Sequence, residues 1–127
     1  MSFSAAPSRY FIVKILAIVE HSPWGSSLPV TALRLLRAMV DDGIRVEAVY
    51  FRGDGVYNAQ PGTASDAGTP ALTEAWGSFS DESGAALLLC ASASRRRLDY
   101  APSPGFRMAG LPEVMERMTA CDRVVSF

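Results

Sequence analysis

Tyr10-Phe11-Ile12-Val13-Lys14-Ile15-Leu16-Ala17-Ile18-Val19 is a nearly unbroken apolar run, rich in β-branched residues. A strand buried on both faces has this pattern. Turn-forming residues, His21-Ser22-Pro23-Trp24-Gly25-Ser26-Ser27, end it. Leu28, Ala32, Leu35, Leu36, Met39 and Val40 then recur at helical spacing and stop at Asp41-Asp42-Gly43, a helix-ending signal. Arg45-Val46-Glu47-Ala48-Val49-Tyr50-Phe51 reads as a second strand. Strand, helix and strand in that order form a β-α-β unit, which implies parallel strands and a right-handed crossover.

The remainder extends this α/β pattern. Arg52 to Asn58 leaves the sheet, and a Pro/Gly/Thr/Ser tract at residues 60–70 is long for a loop, so it is either mobile or ordered by a partner. Ala71 to Phe79 reads as a short helix presenting Leu72, Ala75 and Trp76. Ala85-Ala86-Leu87-Leu88-Leu89-Cys90 is a buried strand, followed by a small-residue helix through Arg95-Arg96-Arg97. Tyr100 to Arg107 carries two prolines and reads as a loop. Leu111 to Met118 is helical, with Pro112 tolerated in its first turn, and Asp122 to Phe127 is a closing strand. The expected architecture is a single α/β domain at residues 10–127. Its four- to five-stranded, mostly parallel sheet carries helices on both faces, and residues 1–9 form a disordered lead-in.

Composition narrows the function classes. At 127 residues the chain fits one domain with one core, and 49% hydrophobic with 20% charged residues describes an ordinary globular protein. A net charge of -1 offers no field for nucleic acid or a membrane surface, so direct contact with either is not expected. No apolar run approaches the ~20 residues that cross a bilayer. The start lacks the basic-then-apolar order of a secretory signal, which makes the cytoplasm the expected compartment. Two cysteines without CxxC spacing and a sole histidine, His21, exclude structural zinc and point to no metal. Neither GxxxxGK[ST] nor GxGxxG occurs, and no organic cofactor is expected.

Chemistry gathers around Cys90. It ends a strand and begins a helix, at the carboxyl edge where open α/β sheets place their ligands. Free N–H groups of a helix start favour the thiolate, and the small residues Ala91-Ser92-Ala93-Ser94 leave room for a visiting group. The competing reading is a small core hydrophobe. Arg95 to Arg97 lie roughly 7–10 Å along the helix axis from Cys90, too far for direct pairing with its sulfur. They serve either to dock an acidic partner or to complement the helix dipole. Cys121 precedes the last strand, on the opposite edge, and reads as structural. The His21–Ser27 loop shares the rim expected for Cys90. His21 is there either a base or a solvated turn residue, and the serines form at most a weak anion cradle.

Several segments together resemble a known family. They are Gly53-Asp54-Gly55-Val56-Tyr57-Asn58-Ala59 after a Tyr-Phe strand end, the Cys90 strand with its arginines, Gly105-Phe106 before Gly110-Leu111, and the closing Cys121-Asp122-Arg123-Val124-Val125-Ser126-Phe127. In this order they are similar to the DsrE/TusD family of small sulfur-relay proteins, over residues 10–127. Ser94 stands where the family has an apolar residue, and Arg97-Leu98 replaces a frequent glycine. The resemblance implies a DsrE-like fold and a sulfurtransferase carrying sulfane sulfur as a persulfide on Cys90. It also implies sister subunits in a heterohexamer of the TusBCD or DsrEFH kind, with a homo-oligomer as the form of the chain alone. Upstream and downstream sulfur-carrier proteins would complete a relay toward 2-thiolation of the tRNA wobble uridine. The alternative within the family is dissimilatory sulfur oxidation. A flavodoxin-like binder holding phosphate at Ser22–Ser27 is the reading from another class. A receiver domain would need Asp in place of Cys90, and a non-catalytic subunit would not need Cys90.

Overall fold

In the computed structural model, which describes residues 12–60 and 71–127, strands and helices alternate along the chain. The strands are β1 (Lys14–Val19), β2 (Arg45–Phe51), β3 (Ala86–Cys90), β4 (Phe106–Ala109) and β5 (Arg123–Ser126). The helices are α1 (Leu28–Asp41), α2 (Leu72–Ser83), α3 (Ala91–Arg97) and α4 (Leu111–Ala120), with a 3-10 helix at Gly53–Ala59 after β2. All five strands run parallel in the order β4-β3-β2-β1-β5. The chain steps outward from β1 to β4, then crosses the sheet once to place β5 beside β1.

That path distributes the helices over two faces. Successive strand residues alternate sides, and the core divides accordingly. Val19, Val49, Phe51, Leu87 and Leu89 meet α1 and α2 through Leu36, Trp76 and Phe79. On the other side, Leu16, Ile18, Ala48, Tyr50 and Leu88 meet α4 through Val114. An aromatic cluster seals the first face. Phe51 packs edge-on to Trp76 at 5.1 Å and against Phe106 at 5.5 Å, each ring contributing about 1.5–3 kcal/mol by burial.

Two side chains pin the sheet's ends. At the amino edge, the Lys14 N–H donates to Asp122 Oδ2 at 2.8 Å while the Asp122 N–H returns a bond to the Lys14 carbonyl at 2.8 Å. At the carboxyl edge, the fully buried Asn58 donates to the carbonyls of Gly55 at 2.8 Å and His21 at 3.1 Å. Its Oδ1 accepts from Trp76 Nε1 at 3.3 Å. Gly55 lies so close to β1 that a Cβ there would meet the Val19 carbonyl oxygen at 2.1 Å. A glycine and an asparagine three residues apart thus bolt the segment after β2 onto the loop after β1.

The expected elements form, with two differences. The segment read as a loop from Tyr100 to Arg107 contains the start of β4, which begins at Phe106. Gly105, at φ +94, makes the left-handed turn that launches it. The first strand joins the ladder only at Lys14, because Arg45 and Arg123 begin the neighbouring strands. Ile12 and Val13 precede it and are exposed. The lead-in at residues 1–9 and the loop at 61–70 lie outside the described residues.

Candidate functional site

Cys90 ends β3, Ala109 ends β4, and the two are register partners. From Cys90 the chain turns into α3, whose Ala93 joins the α1–α2 side of the core. From Ala109 it turns into α4, on the other side. When adjacent parallel strands send their connections to opposite faces, a crevice opens beyond their carboxyl ends, and ligands of open α/β sheets bind in such crevices. A cavity of about 290 Å³ lies here, lined by Tyr50, Cys90, Ser92, Arg95, Gly110 and Leu111. It sits at the lower end of small-molecule pocket sizes, ~300–1,000 Å³.

The sulfur is half-buried and free of any disulfide. Burial is the largest single influence on it and pushes its pKa up, yet the net shift is downward. Hydrogen bonds from the Ser92 hydroxyl, the Ala93 N–H, the Tyr50 hydroxyl and the Ser92 N–H together outweigh burial. The Ser92 oxygen stands 3.4 Å from the sulfur. Such donors stabilise the thiolate more than the thiol. Tyr50 shifts the opposite way, to about 12, first through burial and then through its hydrogen bond and charge interaction with Cys90, with Arg52 opposing. Its phenol therefore keeps its proton at neutral pH and acts as a donor. A nucleophilic sulfur at an open crevice can attack a disulfide-like or persulfide sulfur.

Comparison with known proteins agrees with this geometry. The profile of the DsrE/DsrF-like family matches residues 13–127. The chain belongs to that family. Sulfurtransferase TusD of Cronobacter sakazakii is 31% identical to it, over 91% of this chain and 100% of that protein. Sulfurtransferase TusD of Salmonella newport is 32% identical, over 87% and 96% respectively. Among solved structures, the ychN protein from E. coli superposes with a TM-score of 0.78 at 18% identity, covering 91% of this chain and 100% of that one. That last likeness concerns the fold. The expectation of a sulfurtransferase accords with the names of the sequence relatives.

Within this DsrE/DsrF-like chain the other expected site residues separate. Arg95 lines the cavity, because it sits about one turn beyond Ala91 and Ser92 on the same side of α3. It makes no bond to the sulfur, and neither it nor Arg96 has an ion-pair partner among the described residues. Arg97 instead pairs with Asp54 at 2.8 Å and ties α3 to the 3-10 helix. His21 is exposed, does not line the cavity, and contributes only its carbonyl to Asn58. It follows β1, and β2 stands between β1 and the Cys90 strand. The Ser22 and Ser26 hydroxyls accept from the N–H groups of Trp24 at 3.0 Å and Leu28 at 3.2 Å, so two N–H groups of the expected anion cradle are already satisfied.

Cys121 lies at the amino edge, as expected. Its pKa is raised, first by burial and then by the charges of Glu47 and Asp122, with Lys14 and Arg117 opposing. Among the described residues no cluster of three or more His, Cys, Asp or Glu can hold a metal, and no helix is long and apolar enough to cross a membrane. The residue that sequence reasoning missed is Tyr50. Its even-numbered place on β2 signals the face it shares with Leu88 and Cys90, but only once the strand register is known.

Proposed function

We propose that this chain is a sulfurtransferase that carries sulfane sulfur as a persulfide on Cys90 and passes it between small carrier proteins, toward 2-thiolation of the tRNA wobble uridine. The observation that carries the reading is a free sulfur at an open crevice of the sheet, among hydrogen-bond donors that draw its pKa downward. The TusD names of the relatives favour this branch over sulfur oxidation.

In the exchange, the Cys90 thiolate attacks the outer sulfur of a donor persulfide, R–S–SH. The donor's S–S bond breaks, R–S⁻ leaves, and Cys90–S–SH remains. An acceptor thiolate then attacks the outer sulfur, taking it and releasing the Cys90 thiolate. One S–S bond forms as one breaks in each step, so no oxidant, metal or organic cofactor is required. Such a free thiol suits a reducing compartment, and the cytoplasm is the proposed location.

Both carriers must reach the crevice in turn. Exposed Leu111 and Met115 on α4 beside it, with Met108 on β4 and Val124 on β5, support association with sister subunits of a heterohexamer, or with further copies when the chain is alone. Incubation with a cysteine desulfurase, cysteine and the upstream carrier should raise the intact mass by one sulfur. A Cys90→Ser protein gaining the same mass would refute the site.

A further inference from the structure

We propose that Tyr50 is a positioning residue for the transferred sulfur: its buried hydroxyl donates to Cys90 Sγ and then to the persulfide, holding the reacting atoms within the crevice between β3 and β4. The placement of the hydroxyl beside the thiol rests on the strand register and the shared cavity, while its part in transfer rests on the sulfur-carrier reading of Cys90.

Placement is the first argument. Tyr50 is in register with Leu88, two residues before Cys90, so the Tyr50 and Cys90 side chains leave the sheet on the same face. Tyr50 is only 6% exposed, and what remains open looks into the cavity that Cys90 also lines. Among the described residues no carbonyl, carboxylate or hydroxyl accepts from its oxygen, and the sulfur is the acceptor it faces. A buried donor needs an acceptor.

Rigidity is the second. β2 is flanked by β1 and β3. The adjacent Phe51, on the opposite face, is locked between Trp76 and Phe106. Ser92, the other side-chain donor, stands 3.4 Å from the sulfur and influences it more strongly, but it is exposed on the first turn of a short helix rather than fixed within the sheet. A donor fixed by the sheet keeps its direction when a second sulfur is added. The titratable or charged groups around Cys90 are Tyr50 from β2, Arg52 just after it, and Arg95 from α3. Ala109, Gly110 and Leu111 on the remaining wall bring none.

The test uses the full chain with Cys121→Ala, leaving one thiol, and follows the rate of Cys90 alkylation against pH. Tyr50→Phe should move the midpoint up by about 0.5–1 pH unit, as loss of one donor to a thiolate does. Sulfur uptake should slow about three- to tenfold at neutral pH, and the gap should close at a pH above both midpoints. A packing defect would not close with pH. Replacing Tyr50 by fluorotyrosine, a stronger donor of the same shape, should move the midpoint down, and this variant carries the test if Tyr50→Phe does not fold. An unmoved midpoint in either folded variant overturns the proposal. Failure of the unsubstituted chain to take up sulfur would overturn the carrier reading instead, and leave the midpoint shifts standing.

Discussion

Cys90 and Cys121 are both half-buried, both free, and both packed against the α4 side of one sheet. Burial opposes ionisation at each. What differs is the polar company. At the carboxyl edge the strand hands over to a helix start, and N–H and O–H groups point at the Cys90 sulfur. At the amino edge the neighbours of Cys121 include the carboxylates of Glu47 and Asp122, which repel a second negative charge. The contrast shows that the two edges of the sheet, at similar exposure, shift the two thiols in opposite directions.

The comparison breaks most completely through exchange of the thiols themselves. Cys90→Ser should abolish sulfur uptake, whereas Cys121→Ser should retain it within about twofold, since only thiolates near ambient pH exchange efficiently. Equal loss in two folded variants, read by intact mass, would erase the distinction.

The scaffolds of the two edges come next. Asn58→Ala leaves two carbonyls and the Trp76 indole N–H without their partner in a buried site, and should cost about 2–4 kcal/mol in chemical denaturation. Asp122→Ala removes one exposed bond to the Lys14 N–H and should cost about 0.5–1.5 kcal/mol. A reversed order would mean that the Gly55–Asn58 bolt is not what holds the site's edge.

A smaller effect concerns the link between β4 and α4. Glu113 is bound by Arg107 and also by Arg117, and its pKa falls to about 2, chiefly through the hydrogen bond from Arg107. A depressed carboxylate stays charged above its folded pKa, so the link persists on acidification to pH ~4 and is lost only as pH falls toward 2. NMR titration of Glu113 should show no midpoint between pH 3.5 and 5. A midpoint in that range would remove this anchor.

Much of this was readable before any coordinates. Continuous apolar runs located β1, β2 and β3, and spaced leucines located α1, because buried parallel strands and amphipathic helices leave distinct periods. β4 escaped because Pro102 and Pro104 dominate its approach, while its four residues lie at the sheet's edge with Arg107 and Met108 exposed. Cys90 was legible from its place at a strand–helix junction. Tyr50 was not, since its role depends on the β2–β3 register, which no local pattern encodes. The side of α3 that Arg95 faces and the strand that separates His21 from Cys90 were hidden for a related reason. Distance along a helix axis ignores which side a residue faces, and a shared edge of the sheet does not make two loops neighbours.

The most direct test loads the unsubstituted chain with sulfur at neutral pH, blocks remaining thiols, and maps the added mass to peptides. The extra sulfur should reside on the Cys90 peptide, with Cys121 recovered unmodified by sulfur. Sulfur on Cys121, or divided evenly between the two, would contradict the account.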